Sequence, residues 1–258
     1  LTWELVTVAT DAVLRAGAIQ RERYGTQIEI EHKGSIDLVT EVDKACEAVI
    51  VEAIRSRFPD HDIVAEEADY ERHGSRDVWF VDPLDGTTNF AHGYPCFAAS
   101  VAVARDGEVV AGAVYDPLRA DLFTAERGAG AWHNGRRMRV SKASRLIDSL
   151  LITGFPYDVH TDTPSKVRRF AHLIGQARAI RRDGAAAIDL AYLAAGRIDG
   201  FWEDVLKPWD MLAGNLMIEE AGGRVSRYDG SRVGLGADEI AASNGALHAE
   251  LLAALAEA

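Results

Sequence analysis

Hydrophobic positions along the chain recur with two different periods, and the changes of period mark the elements. Leu5, Val8, Ala9, Ala12, Ala16 and Ile19 return at steps of three and four, which predicts an amphipathic helix closed by Gly25. Val42, Ala45, Cys46, Val49, Ile50, Ala53 and Ile54 do the same over Glu41 to Arg57, with Pro59 just beyond. Short β-prone runs follow at 62–65, 78–81, 99–104 and 109–115, and Asp106-Gly107 between the last two is a hairpin signal. Runs at 121–126, 131–133 and, after an Asn134-Gly135 turn, 138–140 extend this into a largely antiparallel sheet. The last third alternates strands at 150–153, 200–202, 224–226 and 239–242 with helices at 167–176, 185–196, 208–221 and 247–256. Pro208 suits a first helical turn, and Gly222-Gly223 suits a stop. The pattern predicts an α+β fold with helices layered against sheets, not a regular βαβ series.

Composition narrows the class. The chain has 258 residues, 48% hydrophobic and 26% charged, enough to bury a substantial core as one large domain or two intimately packed ones. Its 28 Lys and Arg against 40 Asp and Glu leave a net charge of −12, which argues against a general nucleic-acid binder. Cys46 falls in the apolar stripe of the second helix and reads as a buried core thiol. No Cys/His spacing resembles a zinc site. No apolar stretch approaches the roughly 20 residues that span a bilayer, and Leu1 to Leu5 lack a basic leader followed by an apolar run. The expectation is a cytoplasmic protein without membrane or direct nucleic-acid contacts. The acidic excess is not gathered in a tail, so it can converge on a cation.

Three acidic positions fall where predicted strands end or helices begin: Glu66-Glu67, Asp82 with Asp85, and Asp210 after Trp209. Such places are rigid supports for side chains aimed into one crevice. Hard divalent cations take oxygen ligands, and Mg²⁺ keeps waters that a phosphate can replace. In Asp82-Pro83-Leu84-Asp85-Gly86-Thr87-Thr88-Asn89, a Pro-directed turn between the two aspartates would point both carboxylates and the Leu84 carbonyl to one site. Gly86-Thr87-Thr88 would open a short helix whose N–H groups attract a phosphate. Either aspartate alone would be an ordinary turn or cap residue.

With these motifs the sequence resembles the inositol monophosphatase family of Mg²⁺-dependent phosphatases. Besides Asp82 to Asn89, the resemblance rests on Asp37-Leu38-Val39-Thr40-Glu41-Val42-Asp43, Ala65-Glu66-Glu67, and Trp209-Asp210 through Glu220-Ala221-Gly222-Gly223. It runs from about Lys33 to Asn244. It implies a layered αβαβα sandwich over 1–258, with a metal-binding half near 1–145 and a half at 146–258 supplying Asp210 and a substrate loop. It implies two or three Mg²⁺: one on Glu66, Asp82 and the Leu84 carbonyl, one on Asp82, Asp85 and Asp210, and a looser one on Glu66. Thr87, paired with Asp43, would orient the attacking water with Glu66 nearby as proton acceptor, and Gly86, Thr87 and Thr88 would hold the phosphate. Gly184, Ala185, Ala186 and Glu203 would face the substrate alcohol. Ala185 stands where many members carry Ser or Thr, which leaves a hydroxyl contact in question. A homodimer and sensitivity to Li⁺ are also implied.

Plainer readings stand beside these roles. Asp43 alone would be a solvated helix charge or a capping partner of Thr40. Glu67 supports the site or faces solvent. Lys33 matches a loop position near the metals, although a lone Lys is more often a surface charge. Arg181-Arg182 suits phosphate, a dimer interface or plain solvent. The reaction implied is hydrolysis of a phosphate monoester, myo-inositol 1-phosphate first. Alternatives are a sister phosphatase acting on histidinol phosphate, fructose 1,6-bisphosphate or a nucleotide phosphate, and a regulatory binding protein that has kept the fold.

Overall fold

The computed structural model describes residues 2–32, 38–156 and 158–257. Helix α1 (Thr2–Arg23) leads to the paired strands β1 (Ile30–His32) and β2 (Leu38–Thr40), then α2 (Glu41–Arg57). Next come β3 (Asp62–Ala65), β4 (Asp77–Asp85) and the five-residue α3 (Thr87–Ala91). A meander follows: β5 (Ala98–Arg105), β6 (Glu108–Asp116), β7 (Asp121–Glu126), β8 (Gly130–His133) and β9 (Arg136–Arg137). The remaining elements are β10 (Leu150–Thr153), α4 (Thr163–Lys166), α5 (Arg168–Leu173), β11 (Ala179–Arg181), α6 (Ala186–Ala194) and β12 (Gly200–Asp204). The chain closes with α7 (Pro208–Glu220), β13 (Arg224–Ser226), β14 (Glu239–Ser243) and α8 (His248–Glu257). Strands β3 to β9 form a seven-stranded sheet in sequence order, antiparallel except for the β3–β4 pair. The second sheet has the order β11-β10-β12-β14-β13.

Side-chain alternation explains the layering. Trp79 and Val81 face the core shared with α1 and α2, whereas Phe80 between them faces α6 and α7. On the second sheet Phe201, Ile240 and Ala242 face α6 and α7, whereas Trp202 and Ala241 face α5 and α8. Both sheets are thus covered on both faces, which is why their strands read as continuous apolar runs. The stack is α1/α2, sheet, α6/α7, sheet, α5/α8, the αβαβα arrangement expected. The central helix pair is close: a Cβ at Gly214 would sit 2.4 Å from the Leu190 Cβ.

Three expected elements differ. The strand expected at 138–140 is absent: pairing ends at Arg137, Met138 N–H donates to the Ala131 carbonyl, and Val140 N–H donates to Ala221 at the end of α7. The chain is leaving the sheet for the helix layer there. The helix expected at 167–176 is the shorter α5, which ends two residues before Gly175 and is preceded by a separate one-turn helix, α4. The strand expected to stop at Val81 continues to Asp85. Among the described residues, no helix is long and apolar enough to cross a membrane.

Candidate active site

The site begins with that longer strand. Residues 82 and 85 would point to opposite faces of a regular strand, because side chains alternate. Here Asp82 pairs with Ser100 and Asp85 with Ala98, three steps on β4 against two on β5, so β4 carries one extra residue. The bulge reverses the alternation. Leu84 turns into the α1/α2 core beside Val81, and Asp85 turns toward α6, where it accepts from Ala187 N–H at 2.9 Å. Both aspartates therefore face the central helix layer. The expected Pro-directed turn is replaced by this bulge, in which Pro83, lacking an N–H, is at home. Gly86 follows at φ 89°, and a Cβ there would lie 2.9 Å from the Cys96 carbonyl.

Helix α2 supplies the next group. Thr40 caps it and closes a capping box with Asp43, as expected. The other Asp43 oxygen accepts from the Thr87 hydroxyl at 2.8 Å, on the first residue of α3. Asp43 is fully buried and Thr87 nearly so. The Thr87 oxygen is also 3.0 Å from the Leu84 carbonyl, so its single proton has two acceptors to choose from. Glu66 follows directly on β3, its N–H donating to Val81 at 3.2 Å. Asp210 lies in the first turn of α7 and accepts from Lys207 N–H at 2.7 Å.

Electrostatics show that these carboxylates share one region. Burial raises Asp82 well above the usual carboxylate range, and the charges of Glu66, Asp85 and Asp210 add to the rise. Burial pushes Asp85 up to about 7 against the helix N–H groups that lower it. Asp210 is likewise pushed up by burial to about 7, opposed by the Lys207 N–H. Each of these aspartates spends one oxygen on a backbone N–H, Asp82 on Leu84 at 3.0 Å. Among the described residues, no three His, Cys, Asp or Glu side chains are already gathered as a metal cage. The donor chemistry nevertheless fits a hard cation, because hard oxygen donors dominate and their mutual repulsion calls for positive charge.

The substrate side comes from the second sheet and α6. Gly184 takes φ 78°, and Ala185 and Ala186 start α6 as buried residues. Glu203, recessed on β12, is pushed up to about 8 by burial and by the charges of Asp210 and Asp85. Gly154 makes room for it, since a Cβ there would lie 2.0 Å from a Glu203 carboxylate oxygen. Between Glu203 and Asp210, Val205 holds φ 64°, a strained conformation for a β-branched residue. Arg182 is exposed near enough to lower Glu203, whereas Arg181 is an exposed residue of strand β11. Thr88 is exposed beside Thr87. Lys33 and Asp37 lie outside the described residues.

Some supports of the site carried no sequence signal. Gln20, completely buried on α1, donates to the Pro83 carbonyl at 2.7 Å and so ties the bulge to a helix 63 residues away. Asn89 donates to the Cys96 and Asp183 carbonyls, both at 2.8 Å, joining α3 to the loop before α6. Asn89 belonged to the motif already singled out. Gln20 looked like any polar residue on a helix.

Similarity to known proteins settles the class: the protein is a phosphatase, a phosphoric monoester hydrolase. The family model of the inositol monophosphatases matches residues 2–258. The chain is 45% identical to the inositol-1-monophosphatase of Synechocystis sp., over 99% of this chain and 89% of that protein. It is 44% identical to the Nus factor SuhB of Escherichia coli K12, over 93% of this chain and 91% of that one. The crystal structure of the extragenic suppressor protein suhB from Bartonella henselae superposes with a TM-score of 0.93 at 40% identity, covering 98% of each chain. The chain belongs to the inositol monophosphatase family.

Proposed function

We propose that the protein hydrolyses phosphate monoesters, myo-inositol 1-phosphate foremost, with Mg²⁺ and without a covalent phosphoenzyme. The observation that carries this reading is the buried Asp43–Thr87 hydrogen bond standing beside the Glu66, Asp82, Asp85 and Asp210 cluster. Glu66, Asp82 and the Leu84 carbonyl would hold one Mg²⁺, Asp82, Asp85 and Asp210 a second, and Glu66 a looser third. Bound Mg²⁺ supplies charge neutralisation, a more acidic water and a stabilised leaving oxygen. Thr87, donating to Asp43, keeps its lone pairs for an incoming water and so fixes that water's direction. Glu66 would take its proton. The first N–H groups of α3, at Gly86, Thr87 and Thr88, have no acceptor within a helix turn and suit phosphate oxygens.

A polyol fits the other end. The Glu203 carboxyl group, raised by burial, can accept from a ring hydroxyl and, when protonated, donate to one as well. Ala185 offers no hydroxyl, so the alcohol meets mainly backbone groups of Gly184 to Ala186. We expect Gly154→Ala, which displaces the Glu203 carboxylate, to raise KM for inositol 1-phosphate about tenfold, the equivalent of one lost hydrogen bond. Hydrolysis of p-nitrophenyl phosphate, which has no ring hydroxyls, should hardly change. An equal loss on both substrates would remove Glu203 as a ring contact.

The substrate itself is tested by phosphate release from inositol, histidinol, fructose bis- and nucleotide phosphates across Mg²⁺ concentrations. Inositol 1-phosphate should lead in kcat/KM. A decisive preference for histidinol phosphate or fructose 1,6-bisphosphate would move the protein to a sister activity. Family likeness also supports a homodimer, Li⁺ inhibition and a cytoplasmic location. The name Nus factor carried by the Escherichia coli relative supports an additional protein-binding role, one that would survive loss of hydrolysis.

A further inference from the structure

Helix α2 reaches the site twice. Asp43 meets Thr87, and one turn later Glu47 lies on the same face. Glu47 is 3% exposed. One of its oxygens accepts from Glu67 N–H at 2.9 Å, and the other accepts from the Tyr70 hydroxyl at 2.9 Å. The segment between β3 and β4 is thus fastened at its site end by a buried carboxyl group, immediately after Glu66. Its far end is fastened separately, with Asp62 accepting from His73 N–H and from Ser75 N–H at 3.2 Å. Between this segment and Trp209, the neighbour of Asp210, lies a cleft of about 260 Å³.

We propose that Glu47 is a positioning residue for the cation held at Glu66, ordering the Glu66-to-Tyr70 segment from the same helix that orients Thr87. This rests on the metal-dependent reading of the site. A cation that binds one carboxylate on a loop must order that loop, and the cost falls when the protein has ordered it beforehand. One Glu47 oxygen holds a backbone N–H of that loop and the other holds a phenol four residues after Glu66. The Tyr70 phenol is raised by burial and then by its Glu47 partner, so it remains a donor at every working pH. A buried leucine would fill the same space but offer Glu67 N–H and Tyr70 nothing. The same helix then sets the water-orienting hydroxyl and the cation ligand in fixed relation.

The test uses Glu47→Leu and Tyr70→Phe in the full chain, with Mg²⁺ binding measured calorimetrically in the absence of substrate. Glu47→Leu should weaken Mg²⁺ binding about tenfold or more, the range seen when partners of metal ligands are removed. Tyr70→Phe, which removes only one of the two bonds, should weaken it by a smaller factor. Amide exchange should accelerate at Glu67 and its neighbours while the α2 amides stay protected. Should Glu47→Leu fail to fold, Tyr70→Phe carries the test, because Tyr70 is only half-buried. Mg²⁺ affinity unchanged in the folded variants would overturn the proposal, whatever happens to their melting temperatures. A wild-type protein that binds no Mg²⁺ would instead bring down the metal reading, and the proposal with it.

Discussion

Asp210→Asn should lose hydrolysis by about a thousandfold or more while melting at a higher temperature than wild type in metal-free buffer. Both effects come from one charge. The asparagine oxygen can still accept from Lys207 N–H, the bond that now holds Asp210 at 2.7 Å, so the first turn of α7 keeps its shape. What disappears is a carboxylate whose charge helps raise Asp82 and Glu203. The metal-free fold is relieved of that repulsion, as expected where a site stores instability for function. A cation, by contrast, loses a charged ligand, and two-ion chemistry typically forfeits several kcal/mol of transition-state stabilisation with it. Mg²⁺ should therefore raise the melting temperature of the variant less than that of the wild type. Phosphate release and calorimetric scans with and without Mg²⁺ check all three. Undiminished hydrolysis would sink the assignment of Asp210 as a ligand. A variant merely damaged in α7 would lose activity and stability together.

How far the site could be read from the chain depends on the range of the contacts involved. Thr40 and Asp43 lie within one turn, and their capping box was legible as spacing. The Asp82 to Asn89 run was legible as chemistry but not as geometry. Its aspartates were expected to flank a turn, and they sit instead on a strand whose extra residue puts both on one face. Nothing local marks that bulge apart from Pro83, and a proline predicts a turn equally well. The layered fold was legible because both sheets are covered on both faces, so apolar runs outnumber alternating ones. The edges were less so: Met138 to Val140 has a strand's composition but spends its N–H groups on Ala131 and Ala221. Gln20 and Glu47 were not legible at all. Each is a polar residue on an otherwise ordinary helix, and its role exists only because a distant loop folds against it.

Removing the metal should make the protein less stable as pH rises, the reverse of the usual behaviour of carboxylates that gain partners on folding. Asp85 and Asp210 are raised to about 7 and Glu203 to about 8, against unfolded values of 3.8 for aspartate and 4.5 for glutamate. Asp82 and the buried Asp189 are raised as well, chiefly by burial. Between about pH 4 and 8 the folded state therefore binds more protons than the unfolded one. The contribution is full below the unfolded values and is lost as pH climbs through the folded ones. His248 and His61 work the other way: burial lowers both from 6.5, His248 to about 4, so they add stability as pH rises toward 6.5. They are two groups against a larger set of raised carboxylates. The metal-free protein should melt at a higher temperature at pH 5.5 than at pH 8.0, by on the order of 5 °C, which in a chain of this size corresponds to about 2 kcal/mol. Mg²⁺ requires the carboxylates deprotonated, so its stabilisation should grow over the same interval and close the gap. Scans in EDTA and in Mg²⁺ at the two pH values separate these terms. A metal-free protein that is more stable at pH 8.0, and indifferent to Mg²⁺ there, would mean that the cluster is not held in the folded state as a set of raised carboxylates waiting for positive charge.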